Sequence, residues 1–277
     1  MKFQDQFAIL TDTEREHVEK ILERYKSQIS IEQIAEGIRV TLLNARQLYD
    51  DATLLLQSSR YARSLAMLVA AMEEIGKISV LAGMSRIPKN NQKLWADSWE
   101  SFRSHEHKST WAFVQTYPDE ARSAPMAVVT AAMQQLSLAV VCERMRQYGL
   151  YVDFHAGERR WLSQTEIDQT EVIKWKERVE AALSRTEAFY AAGLYSVRAL
   201  ELQRQVYSEF NANRPRRKDL GPEDLKSAVS EGPMLAKTYI RRLVEEGVVS
   251  PDLDLSVQGT PLSHLLADGQ APGSDDA

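Results

Sequence analysis

RYARSLAMLVAAMEEIGKISVLAGMS, Arg60 to Ser85, decides the fold. It is the most apolar long helical segment of the chain, and three charges sit in its middle: Glu73, Glu74 and Lys77. A helix that is apolar nearly all round belongs in the interior of a bundle. The stretch therefore reads as the spine of an all-helical domain. Charges on such a helix need partners or a purpose. The segment FRSHEHK, Phe102 to Lys108, is the one expected to meet them.

Working outward, Ser30 with Gln33 marks a helix start. Ile34, Ile38, Leu42, Ala45, Leu48, Ala52 and Leu55 then recur at three-to-four spacing to about Ser58. Before it, Thr11 and Thr13 each precede a Glu by three residues, which predicts a helix from about Asp12 to Ile29. Ser58 to Tyr61 reads as a short turn. The spine ends near Gly83, and Ile87-Pro88 opens a loop. Asn90 or Asn91 caps QKLWADSWESFRS, with Leu94, Trp95, Trp99 and Phe102 on its buried side. Pro125 suits the first turn of a helix from Met126 to about Tyr148, with Gly149 as its stop. Leu150 to Phe154 reads as an extended piece or corner, not a sheet strand, because nothing else in the chain offers a pairing partner. Ser163 to Asn213 is helical again, with a break near Gly193.

Asn213 to Lys218, NRPRRK, is a basic, proline-containing linker and the clearest boundary. Two short helices follow from Pro222 to about Gly247, split at Gly232-Pro233. The Gly/Pro/Asp-rich end is expected to be disordered. The organisation read from the sequence is an N-terminal helix over 1–30, a helical domain over 31–213, and a linker with short helices and a tail over 214–277. No β-α-β rhythm occurs, so the fold class is all-α, a helical bundle with a long C-terminal helix and a small helical appendage.

The chain has 277 residues, 44% hydrophobic and 26% charged, which is ordinary globular composition. A net charge of −5 gives no global pull toward nucleic acid, though a local basic patch is compatible with it. Cys142 is the single cysteine, so neither an internal disulfide nor a multi-cysteine metal site can form, and a reducing cytoplasm fits. MKFQDQFAIL lacks a basic region followed by an apolar core, so no signal peptide is expected. The apolar window Met126 to Val141 is interrupted by Gln134, Gln135 and Ser137, and reads as a buried bundle helix; no membrane association is expected.

The common enzyme signatures are missing: no glycine-rich phosphate loop, no Gly-x-Ser-x-Gly elbow, no His-Glu-x-x-His helix and no Rossmann fingerprint. Glu73 and Glu74 lie one helical turn from Lys77. They read either as an ion pair on a partly exposed face, or as a buried pair that orients groups on a neighbouring helix. Arg103, His105, His107 and Lys108 suit phosphodiester cleavage without a metal. Histidine can take a proton from a ribose 2′-hydroxyl or give one to a leaving oxygen. Arg and Lys can offset charge growing on phosphoryl oxygens. The plainer alternative is a polar loop whose histidines cap neighbouring helices. Asp153 and His155 are further candidates for an acid, a base or a metal ligand. Arg144 and Arg146 either join a basic groove or form the solvated face of their helix.

Taken in order, Glu73-Glu74-Ile75-Gly76-Lys77, then Phe102 to Lys108, then Leu150 to Phe154, resemble the AbiV-type abortive-infection proteins, phage-resistance factors of the HEPN-like superfamily. The resemblance covers about residues 33 to 180. It implies a HEPN-like bundle, a homodimer with one cleft built from both subunits, and the metal-independent RNase activity of many HEPN domains. One spacing departs from the family pattern. Active HEPN nucleases typically carry an Arg, four to six residues, then a His; here Arg103 and His107 have three between them, and Arg103 and His105 have one.

Three functions follow as alternatives. The first is an antiphage effector that cleaves RNA or blocks translation, with RNA as substrate, a phage-encoded activator protein as trigger and no cofactor. Arg103 would bind phosphate, His105 or His107 would act as base or acid, and Lys108 would stabilise the transition state. Glu73, Glu74, Lys77 and Asp153 would support them. The second is a non-catalytic helical binding protein that engages a phage or host protein. The third is a metal-dependent helical enzyme using Glu74, His105 and Asp153.

Overall fold

The computed structural model describes residues 11, 13, 25–105, 107–109, 138–151, 153–155, 160–162, 167–212, 235 and 237–250. Ser30 caps the first helix, α1 (Ile31–Gln57): its hydroxyl accepts from the Gln33 N–H, and the Gln33 side chain returns the bond to the Ser30 N–H. Its buried stripe is Ile31, Ile34, Ile38, Thr41, Leu42, Ala45, Tyr49 and Ala52. Ser59, at φ 57°, turns the chain into α2 (Tyr61–Met84). The Ser64 hydroxyl donates to the Ala52 carbonyl at 2.7 Å and pins the two helices together inside the core.

α2 is the spine. Fifteen of its residues are buried, Glu73 and Gly76 among them. It packs on α1, on α3 (Gln92–Arg103), on α4 (Leu138–Leu150) and on α5 (Gln169–Ala191). Leu65, Leu68, Val69, Met72 and Ile75 of α2 share one core with Val172, Trp175, Val179 and Leu183 of α5. Each fully buried side chain of this size contributes about 1.5–3 kcal/mol. Asn91 caps α3 through the Leu94 N–H, and Trp95 is fully buried beneath it, but Leu94 is 44% exposed rather than part of the buried side. The extended backbone at Ser104 ends α3, and helical geometry resumes at residues 105 and 107–109.

The long helical pattern breaks where the glycine placed it. α5 ends at Ala191, Gly193 takes φ 81°, and α6 (Val197–Ala212) follows. Residues 237–245 are helical and stop at Gly247, φ 66°. Leu243 and Val249 bury against Ala199 and Leu202 of α6, while Arg198–Glu246 and Arg242–Glu209 ion pairs flank the seam. α6 in turn reaches the end of α2 through Arg204 Nε, which donates to the Ser85 carbonyl at 2.9 Å.

Four expectations are corrected. Tyr25 to Ser30 is not helical, so the first predicted helix does not reach Ile29; the backbone carbonyls of Tyr25 and Ser27 are instead taken by side chains of α3. Gly149 does not stop α4 but lies inside it, because α4 crosses α2 there: a Cβ on Gly149 would stand 2.3 Å from the Ala62 carbonyl oxygen. Asp153–His155 is a strand, β1, paired antiparallel with β2 (Arg160–Leu162). Its partner lies a few residues further on, so the pairing is local and needs no distant strand. The helix read from Ser163 begins at Gln169, after extended backbone at Asp168. The rest of the first helix, residues 126–137 and most of 214–277 lie outside the described residues. The fold is all-α, with this one short hairpin among the described residues.

The α4–α2 crossing makes a direct prediction. Gly149→Ala forces the two backbones apart and costs about 1–3 kcal/mol, read as a lower urea midpoint at unchanged m.

Candidate functional site

Ile75 and Ile78 point into the core at 0% exposure, and this register fixes where the charges between them go. Glu73 is carried inward and is 5% exposed. Glu74 and Lys77 lie toward the edge, ion-paired with each other at side-chain exposures of 14% and 21%. The Phe102 ring of α3 covers Lys77, with the ammonium 5.4 Å from the ring centroid.

The turn after α3 lies directly on α2 at Gly76. A Cβ at that position would be 1.9 Å from the Lys108 carbonyl oxygen, so only glycine admits the approach. With the turn seated there, Glu73 Oε2 receives two partners. His105 Nδ1 is 2.8 Å away and Lys108 Nζ 3.5 Å. Oε1 of the same carboxylate is buried with no hydrogen-bond partner among the described residues.

His105 and Lys108 are placed very differently. The His105 side chain is 46% exposed, the Lys108 side chain 7%. In the tautomer in which Nδ1 donates to Glu73, Nε2 is the acceptor nitrogen of the ring. This assigns the tautomer from the hydrogen bond. Burial pushes the Lys108 ammonium below its ordinary pKa, and the Glu73 carboxylate opposes that shift. Behind the turn, Ser109 is 1% exposed and Cys142 of α4 is 1% exposed. Burial pushes the Cys142 thiol up to about 11; a hydrogen bond with Ser109 works against the shift, and the Glu73 charge adds to it.

Arg103 is engaged elsewhere: Nη1 donates to the Trp99 carbonyl at 3.2 Å, Nη2 donates to the Tyr25 carbonyl, and the guanidinium lies 5.8 Å from the Trp99 ring centroid. His107 is exposed, and its backbone N–H donates to Ser104 Oγ at 3.3 Å. Arg144 is exposed and Arg146 half-buried. Asp153 and His155 are backbone members of β1, and their side chains lie outside the described residues. Glu74 faces Lys77, whereas the carboxylate at His105 is Glu73. Among the described residues, no three His, Cys, Asp or Glu side chains converge as a metal site.

The model of the AbiV family of HEPN proteins matches residues 33–184. This chain belongs to that family. The match runs from α1 through most of α5 and so contains every element that builds the Glu73 cluster. No curated protein and no solved structure matches the chain. AbiV membership points to an abortive-infection, antiphage role. No helix among the described residues is long and apolar enough to cross a membrane.

Reading the residues in order singled out Glu73, His105 and Lys108 but passed over Gly76, Ser109 and Cys142 as members of one cluster. Gly76 had a legible signal, a glycine inside an otherwise strong helix, which marks a close approach. Ser109 and Cys142 had none, since only the crossing of α4 over α2 brings Cys142 to the turn.

Two predictions follow from the buried pair. Glu73→Ala strands the Lys108 ammonium and destabilises the fold by about 3–5 kcal/mol, whereas the Glu73→Ala/Lys108→Met double variant recovers part of that loss in a double-mutant cycle read by urea unfolding. The pH dependence has a definite sign. Folded Lys108 loses its proton before unfolded Lys108 does, so the unfolded state binds more protons in the window between the two pKa values. Wild-type stability therefore rises relative to Lys108→Met as pH climbs through the folded pKa toward the ordinary lysine value.

Proposed function

We propose that this AbiV-family chain is an antiphage effector that cleaves single-stranded RNA at the surface above Glu73, by acid–base chemistry without a metal. The observation that carries the reading is the Glu73–His105 contact: a buried carboxylate meets Nδ1 of a half-exposed imidazole at 2.8 Å and leaves its other ring nitrogen outside that bond. In that arrangement a carboxylate selects the tautomer and stabilises the imidazolium once formed.

His105 Nε2 takes the proton of a ribose 2′-hydroxyl. The 2′-oxygen forms a bond to phosphorus as the bond to the 5′-oxygen breaks. His107, exposed two residues on, returns a proton to the leaving 5′-oxygen, and a 2′,3′-cyclic phosphate remains. Lys108 is too buried to reach a phosphoryl group while it stays paired, so it acts through the charge of Glu73. Glu74 and Lys77 hold the α2 edge against Phe102. Arg103 supplies the phosphate contact once its present acceptors are exchanged for phosphate, and Asp153 is a supporting group on the adjoining hairpin. A homodimer, a phage-encoded activator protein and a cytoplasmic setting belong to the same proposal.

A second reading is favoured by one observation: Arg103, the phosphate-binding candidate, is already committed to two backbone carbonyls. Under it the cluster is structural, and the protein blocks growth by binding a phage or host protein.

Incubation of purified protein with defined RNAs, with and without chelator, separates the two. The nuclease reading expects cleavage that survives chelation and that falls about 100-fold or more in His105→Ala. Glu73→Gln keeps the shape of the site but weakens its hold on the imidazolium, and is expected to fall by a smaller factor with an altered pH–rate profile. The Arg103→Ala/His107→Ala double variant is expected to lose both toxicity and phage protection. Intact RNA in every sample, together with a stoichiometric protein recovered with the wild type during infection, would favour the binding reading.

A further inference from the structure

Between the N-terminal part of the chain and α1 runs a short non-helical segment, residues 25–30, and it lies on α3 through three contacts. Arg103 Nη2 donates to the Tyr25 carbonyl. Trp99 Nε1 donates to the Ser27 carbonyl at 2.8 Å. The Tyr25 ring packs edge-on against Trp99, centroids 5.7 Å apart and planes at 87°. The Tyr25 hydroxyl donates to the Gln28 carbonyl at 2.9 Å and folds the segment onto itself. The opposite neighbour of Arg103 on α3, Phe102, faces Lys77 at the candidate site. One turn of α3 thus carries the segment through Arg103 and touches the site through Phe102.

We propose that residues 25–30 form a strap that withholds Arg103 from RNA, and that its release arms the site. This rests on the reading of the Glu73 cluster as a centre that engages RNA phosphates. Arg103 is two residues before His105, so no more than about 7 Å of backbone separates them. A freed guanidinium therefore falls within a side chain's reach of a phosphate lying over His105. The present acceptors are neutral carbonyl oxygens, whereas a phosphate offers charged oxygens matched to the guanidinium fork, a stronger partner for the same group. The strap is lightly held at its outer end, where Tyr25 is 51% exposed and no residue of 25–28 is buried, while Ile29 on the core and the Ser30 cap anchor its inner end to α1. RNA and strap are then competitors for one side chain. Binding of one weakens binding of the other by the same factor.

The test compares wild type, Tyr25→Ala/Trp99→Phe, Arg103→Ala and the triple combination. Binding is followed by fluorescence anisotropy of a labelled single-stranded RNA, strap release by hydrogen exchange at residues 25–30, and cleavage in the same samples. Tyr25→Ala/Trp99→Phe removes the Tyr25 ring contact and the indole donor and keeps an aromatic ring at position 99 against Phe102. It is expected to exchange faster at 25–30 and to bind RNA about tenfold more tightly, since about 1.4 kcal/mol of strap contact is removed. Its salt dependence should steepen by about one phosphate contact, and Arg103→Ala in the same background should erase the gain. The wild type needs no variant: saturating RNA should itself speed exchange at 25–30. Faster exchange without tighter binding, or a gain that persists without Arg103, overturns the strap. Tighter, Arg103-dependent binding with no cleavage upholds the strap and counts instead against the nuclease reading.

Discussion

A carboxylate cannot be carried into an apolar core unless something meets it there, and Glu73 imposes that condition on the rest of the structure. α2 is buried along most of its length, so its register is set by Leu68, Met72, Ile75 and Ile78, and Glu73 goes inward with them. The segment after α3 must then deliver a cation and a hydrogen-bond donor to the same point. It can do so only because Gly76, one turn from Glu73, lets the Lys108 carbonyl sit where a Cβ would stand. Backbone approach and charge pairing are one constraint. The close contact at Gly76 brings Lys108 down, and Lys108 with His105 satisfies one oxygen of the acid that the core has buried.

This arrangement divides the labour between two groups three residues apart in the sequence. Lys108 is turned inward and neutralises; His105 is turned outward and stays available. A buried pair of this kind is a poor source of net stability, because desolvation offsets most of the attraction. It does fix the imidazole, whose Nδ1 is held at 2.8 Å while the side chain stays 46% exposed. Among the described residues the carboxylate keeps a second oxygen without a partner, and a buried thiol and hydroxyl stand close behind. The polar centre is thus embedded in the bundle, with the lysine side chain 7% and the histidine side chain 46% exposed. The AbiV match spans all of the helices that build it, while α6 and the helix at 237–245 lie outside the match and close the far end of the bundle.

How much of this was legible varies by residue. Ser30 and Gln33 announced the start of α1 because a capping box is a local bond pattern written in adjacent residues. Asn91 and Gly193 were legible for the same reason: a cap and a left-handed turn each depend on a few neighbouring positions. Gly149 misled, since a glycine that ends a helix and one that admits a crossing helix look alike until the second helix is in place. The extended stretch at Asp153 was read as having no pairing partner anywhere in the chain, yet Arg160–Leu162, a few residues on, pairs with it, a strand too short to show an alternating pattern. Leu94 shows the limit of a helical stripe: α3 buries Trp95 completely, while the adjacent Leu94 lies on another face of the same turn and is 44% exposed.

Residue order alone determined the all-helical class, the caps, the main breaks and the identity of the two charged segments, since helical periodicity and turn chemistry act over a few residues. The family, too, was written in the motifs and their order. Only tertiary structure decided which glutamate meets the histidine, that Lys108 is buried while His105 is not, and that Arg103 is held by the chain's own backbone. Those choices depend on which face of each helix a neighbour covers, and contacts such as Gly76 with Lys108, Gly149 with Ala62 and Arg103 with Tyr25 join residues 32 to 87 positions apart, beyond the reach of any local pattern.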